Sequence, residues 1–241
     1  FPHVHKDRLS NRLSLWSAEH RSLPVVTFML VLPIGSSADF EGYEGLAAMT
    51  ADMMDEGTGN LSAIDVNAAF GRIGAHLEAV TALARFARHA LSLLADCVIR
   101  PRLDVADFDR VRQLRLTRLV QIRDMPSAIA DRAIMQVVYG THPYAHMALG
   151  TEESLRQLSI ETVRQFHSWL YCPSNATLMA SGDLTPGDFR QMAADMFGAW
   201  TDSGTHTLKD AALSPPPLAP VHRLVLVNKA GGTGAISTNF V

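Results

Sequence analysis

The sequence predicts an α+β protein. Three observations carry that expectation. The strand-like segments come in pairs, the helix-like segments come in runs, and there is no repeated strand–helix alternation of the kind a doubly wound parallel sheet needs. Taken in order, Arg12 to Ser17 alternates apolar and polar residues, and Val25 to Pro33 is a nearly continuous β-prone run. Pro24 and the Gly35-Ser36-Ser37 cluster punctuate the two, giving a pair of strands. Helical patterning follows from Glu44 to Asp55, closed by Gly57. A second helix starts at Ser62, where Ser-x-x-Asp to Asp65 has the form of a capping box, and it ends near Gly71 to Gly74. Ala75 to Arg85 alternates enough for a strand, and Ala87 to Ile99 reads as a helix stopped by Pro101.

Asp104 caps a long predicted helix to about Arg123, and a further helix is expected from Pro126 to Tyr139. Residues 140–151 read as loop. Ser159 opens a helix through Trp169, and Ala176 to Ser181 is a short buried strand. Thr185-Pro186-Gly187-Asp188 combines an N-cap hydroxyl, a proline at the first helical position and an acid in the first turn; the helix it starts ends at Gly198. Residues 202–220 contain Ser-Pro-Pro-Pro-Leu-Ala-Pro and read as an interdomain linker, with one more strand expected at Leu224 to Asn228. The expected organisation is one α+β domain over 1–201, the proline-rich linker, and the truncated start of a second, similar domain over 221–241.

Composition narrows the function classes. The 241 residues are 47 % hydrophobic and 19 % charged, which is ordinary globular usage rather than disorder. A net charge of −3 gives no whole-chain reason to expect a nucleic-acid partner. The longest apolar run, Val25 to Pro33, is far too short to span a bilayer. Cys97 lies in an apolar run and reads as a buried thiol; a disulfide with Cys172 stays open. The chain opens at Phe1 with neither Met nor a basic-then-apolar leader, so it reads as a processed or excised piece. Compartment is not fixed by these features: bacterial periplasm or cytoplasm is favoured over the mitochondrion.

The most informative stretch is Glu44 to Thr58, EGLAAMTADMMDEGT. It resembles the E-G-L-A-H-x-x-E-H-x-x-x-x-G-T segment of the inverted zincins, the pitrilysin, insulinase and mitochondrial-processing-peptidase family of zinc proteases. In such a motif the two histidines sit four apart on one helix face, aimed at one zinc, with the Glu between them as general base. On that frame Ala48 and Asp52 take the histidine positions and Ala51 the glutamate position, while Gly45, Leu46, Ala47, Gly57 and Thr58 are kept. The family's third ligand is a Glu roughly 70–80 residues further on. No glutamate occurs between Glu78 and Glu152.

Weaker landmarks fall in the family's order over roughly residues 9–229. Leu9-Ser10-Asn11-Arg12-Leu13 is similar to an opening L-x-N-G-L, with Arg in place of Gly. Leu32 to Ser37 with Asp39 is similar to a G-S-x-x-D turn. His142-Pro143-Tyr144 with Gly150-Thr151 resembles an H-P-Y…G-T loop, and Pro173-Ser174-Asn175-Ala176 with Gly182-Asp183 a P-x-N-A…G-D strand. The resemblance implies a metallohydrolase domain of the processing-peptidase type: a mostly antiparallel sheet with helices packed on one face. It further implies that two such halves close around an unfolded peptide, with zinc in the half that carries H-x-x-E-H. The other half has a degenerate motif and supplies an Arg/Tyr pair from its second domain, a segment this chain does not reach. On this reading the chain is the first domain of a non-catalytic half, with no catalytic residue, metal ligand or cofactor of its own. Its partners are a catalytic zinc-peptidase subunit or fused half and an unfolded peptide. The alternative is a purely structural subunit, like the core proteins of respiratory complexes.

Other candidates are weaker. Asp52 with alanines at the other two positions leaves zinc short of the three or four protein ligands it needs. His142 and His146 are four apart, but Pro143 disfavours the helix that would align them. His76 and Glu78 share a strand face without a third group. Arg110, Arg112, Arg115, Arg118 and Arg123 make one helix basic, but they spread over more than one face, with Asp107 and Asp109 among them; docking on an acidic partner is the sharper alternative to a solvated face. Ser36, Ser37 and Asp39 form no nucleophile–base–orienter signature. Gly231 to Gly234 lacks the Lys-Ser/Thr ending of a phosphate loop.

Overall fold

A computed structural model gives the fold and describes residues 3–75 and 80–202. The chain folds as two compact units, whose described parts are 3–33, 52–75, 80–104 and 164–202 in one and 34–51 and 105–163 in the other.

The first unit is built on a five-stranded sheet in the order β1-β2-β7-β3-β6, made of β1 (Val4–Arg8), β2 (Ser14–Glu19), β3 (Val25–Val31), β6 (Val80–Leu83) and β7 (Thr177–Gly182). Only β2 and β7 pair in parallel; the other three pairings are antiparallel, as expected. The register puts Leu15 beside Leu178, Phe28 beside Ala180 and Val26 beside Ala82, all buried. These inward residues meet α2 (Ala63–Arg72), α3 (Ala87–Ile99) and α8 (Pro186–Phe197), where Phe189 stacks on Phe28 at 6.2 Å. Each such large side chain taken out of water is worth about 1.5–3 kcal/mol. The outward positions Trp16, Met29, Val31 and Leu83 are exposed, and the Lys6 ammonium sits 4.3 Å over the Trp16 ring. A two-residue ladder, β4 (Gly57–Thr58) with β5 (Leu61–Ser62), precedes α2.

Two helix starts form as the sequence predicts. Ser62 and Asp65 make a reciprocal capping box on α2. The Thr185 hydroxyl accepts the Asp188 N–H at 3.1 Å at the start of α8. The Leu9–Leu13 turn, closed by Arg12 N–H to Leu9 O, places Arg12 at φ 75°, the left-handed conformation that glycine adopts freely. The family frame has glycine at that position, so Arg12 keeps the turn at some strain; its guanidinium pairs with Asp202. Cys97 and Cys172 are both buried and both free, which closes the disulfide question.

The second unit contains α1 (Leu46–Asp52, all but its last residue), α4 (Val105–Arg123), α5 (Pro126–Tyr139) and α6 (Glu152–Gln157); α7 (Ile160–Leu170) begins in it. Phe108 and Val111 of α4 are buried, whereas α5 has no buried residue. The α6 turn, which begins just after the stretch expected to be loop, is nucleated by a capping box between Thr151 and Ser154. The linker and second-domain expectations for 202–220 and 221–241 fall, apart from Asp202, outside the described residues, as does the strand at Leu224 to Asn228. Among the described residues no helix is long and apolar enough to cross a membrane.

Candidate functional site

The motif helix α1 is capped from a distance. Asp39, just after a single 3-10 turn at Ser36–Ala38, accepts the Ala47 N–H at 2.6 Å through Oδ1 and the Gly45 N–H at 2.8 Å through Oδ2. It therefore satisfies donors that the first turn of a helix leaves without intrahelical partners. Its side chain is 1 % exposed. Burial pushes the carboxyl above the ordinary aspartate value, opposed by the N–H bonds from Ala47, Gly45 and His146. The His146 Nε2–H is shared between Ser36 O at 2.9 Å and Asp39 Oδ2 at 3.0 Å.

The residues that match the zinc-protease frame each have a structural role. Gly45 stands at φ 94°, and a Cβ there would sit 2.9 Å from Leu149 O and 3.0 Å from Gly150 N. Gly150 at φ 83° faces it, and a Cβ there would overlap Glu44 O. Ser154 ties the same loop by donating its hydroxyl to Glu44 O at 2.7 Å. Leu46 is 0 % exposed and Ala47 is buried. Further along, Gly57 at φ 143° leaves no room for a Cβ, which would lie 2.5 Å from Leu61 O. The Thr58 hydroxyl lies 2.7 Å from Asp96 O and 2.9 Å from Arg100 O, where it caps the end of α3.

The sequence departs from that frame at Ala48, Ala51 and Asp52. Ala48, Ala51 and Asp52 fall at i, i+3 and i+4, so they share one face of α1. Ala48 is half-buried, and Ala51 and Asp52 are exposed, while Leu46, Met49 and Thr50 line the buried side. The donor set does not fit zinc: two methyl groups and one carboxylate cannot supply three or four ligands. α5, in the interval where the third ligand is expected, carries Asp131 as its one carboxylate. Among the described residues no three His, Cys, Asp or Glu side chains cluster to hold a metal ion.

The remaining candidates separate. His142 and His146 do not converge. The Nδ1 of His142 accepts the Tyr144 N–H at 3.2 Å, and its ring packs edge-on to Tyr144 at 5.0 Å, while His146 serves Asp39. The basic helix α4 is largely neutralised: Arg110 pairs with Asp107, Arg112 with Asp109 at 2.7 Å and Arg123 with Glu152 at 3.2 Å, and Arg115 is buried. This favours the solvated face over docking on an acidic partner. Ser36 and Ser37 lie in the 3-10 turn beside Asp39, whose oxygens are committed to the cap. His76 and Glu78, and Gly231 to Gly234, lie outside the described residues. What the sequence pattern alone misses is the pairing of Asp39 with His146, residues separated by 107 positions.

No family model matches the chain. Among curated proteins, the uncharacterized zinc protease YmxG of Bacillus subtilis is 24 % identical over 183 residues, 72 % of this chain and 44 % of that protein. The non-peptidase homolog YmxG of Helicobacter pylori is 22 % identical over 176 residues, 69 % of this chain and 41 % of that one. Among solved structures, the inactive domain of a peptidase M16 from Pseudomonas fluorescens superimposes with a TM-score of 0.77 at 24 % identity, over 85 % of this chain and 52 % of that one. The chain thus has the fold of the M16, pitrilysin-like peptidase domains. It spans about half the length of the curated relatives it matches.

Proposed function

We propose that this M16-like chain is the non-catalytic half of a zinc metallopeptidase and completes the peptide-binding chamber of a catalytic partner that carries H-x-x-E-H. One observation carries the reading. Every frame residue of the motif helix with a backbone or packing role is retained, and the three positions whose role is chemical are replaced on one open helix face. Loss of stability would have erased both sets together. Zinc belongs to the partner on this reading, because the residues here do not fit it.

What this chain offers a peptide is main chain. The two sheet edges differ. β1 is armoured by Lys6, Asp7 and Arg8, the usual defence of an exposed edge. β6 reads Val-Thr-Ala-Leu without a charge, and among the described residues no strand pairs with its outer side. An extended peptide adding there gains ladder hydrogen bonds that are indifferent to side-chain identity, which suits a chamber taking unfolded segments.

The test is to assay a quenched peptide with the purified chain, with the H-x-x-E-H partner, and with the two mixed. Cleavage is expected from the mixture above the partner alone and none from this chain. Chelator-sensitive cleavage by this chain alone overturns the proposal.

A further inference from the structure

We propose that the second unit carries a binding site for a small zwitterion of dipeptide size, in a cavity that the peptidase-assisting role leaves unused. The cavity measures about 370 Å³ and lies wholly within that unit. It is at the lower end of the range for small-molecule pockets, which runs from about 300 to 1,000 Å³. Its walls come from four segments: Glu44 ahead of the motif helix, Arg132 and Gln136 on α5, His146 on the loop after it, and Glu153 on α6.

The charge arrangement points to the ligand. Several arginines elsewhere on the described chain find carboxylates: Arg88 with Asp195 at 2.9 Å, Arg156 with Glu152 at 2.8 Å, Arg190 with Asp7 at 2.6 Å. Among the described residues no side chain pairs with Arg132 or with the carboxylates of Glu44 and Glu153, although all three line one cavity. Opposite charges held apart around a shared space are complementary to a molecule that bears both signs. An ammonium is accepted by Glu44 and Glu153 and a carboxylate by Arg132, whose planar fork suits two oxygens. The two carboxylates against one guanidinium favour a ligand with one extra positive charge, so a dipeptide with a lysine side chain matches best. The Nε2–H of His146 is already committed to Asp39 and Ser36, which keeps the imidazole fixed in the wall.

The site is independent of the chamber reading: it stands or falls without a catalytic partner. The experiment is isothermal titration of the purified protein with glycyl-lysine at low salt, alongside N-acetyl-glycyl-lysine amide, which lacks both terminal charges. Saturable binding in the millimolar range or tighter is expected for the free dipeptide, weakened roughly tenfold by Arg132→Gln and by Glu153→Gln, each of which removes one charge-assisted contact. The capped peptide is expected to bind at least tenfold less well. Arg132 and Glu153 are exposed, so both variants keep the fold, and unchanged thermal melting checks this. Absence of saturation up to about 10 mM, or binding that neither variant alters, overturns the proposal. Equal binding of the capped peptide overturns it as well, because the termini would then play no part.

Discussion

Replacing Asp39 by alanine strips the motif helix of its cap and takes an acceptor from three donors. Two are the backbone N–H groups of Gly45 and Ala47, and the third is the Nε2–H of His146, which keeps Ser36 O as a second acceptor. Loss of an N-cap costs about 0.5–2 kcal/mol. Here the carboxylate is 1 % exposed, so water does not simply replace it, and each buried unsatisfied donor adds about 1–3 kcal/mol. Counting the two backbone donors and discounting overlap with the cap value, Asp39→Ala is expected to destabilise by about 3–5 kcal/mol. In a chain of this size that corresponds to roughly 6–20 °C in Tm. Asp39→Asn keeps an acceptor oxygen and the shape, so it is expected to recover more than half of the loss. The assay is the urea midpoint and Tm of the wild type and both variants, with far-UV circular dichroism to confirm the folded baseline. A loss below about 1 kcal/mol for Asp39→Ala, or an Asn variant no better than the alanine one, refutes the reasoning.

Other outcomes follow from the same geometry. Gly150→Ala introduces a methyl into the Glu44 carbonyl at a left-handed φ of 83°, so it is expected to lose more than about 2 kcal/mol in urea titration. Ala48→His, Ala51→Glu and Asp52→His together are not expected to create tight zinc binding, because α5 offers no glutamate as third ligand; stoichiometric zinc after dialysis, measured by atomic emission, contradicts this. His167 is half-buried with Nε2 donating to Val98 O at 2.9 Å, and desolvation holds its pKa below the ordinary 6.5. The unfolded chain therefore takes up the proton first, and stability is expected to fall as pH drops below about 6.5 toward the folded value. His167→Gln, which can still donate to Val98 O, is expected to flatten that acid limb between about pH 7 and 5 in urea midpoints.

Elements with local signals were legible. Ser62 with Asp65 and Thr185 with Asp188 announce α2 and α8 because the capping groups lie within three residues of each other. β1 escaped notice because Val-His-Lys-Asp-Arg has no apolar alternation: it is an exposed edge strand, and only its pairing with β2 makes it one. The parallel pairing of β2 with β7 joins segments from opposite ends of the described chain, which no local pattern encodes. The motif helix was expected from Glu44 to Asp55 but spans Leu46 to Asp52, because Gly45 at φ 94° and the Asp39 cap fix where it begins. The altered face was visible from spacing alone. The reason its neighbours stayed unaltered was not, since the Gly45–Gly150 approach spans more than a hundred residues.

That approach has an evolutionary corollary. Where two stretches of peptide press together with no side chain between them, drift has nothing to act on except the glycines, and each change there is punished at once. The neighbouring outward-facing positions answer to no such contact and are free to change. A lineage can thus lose an enzyme's reactive centre one substitution at a time while the surrounding chain stays recognisable.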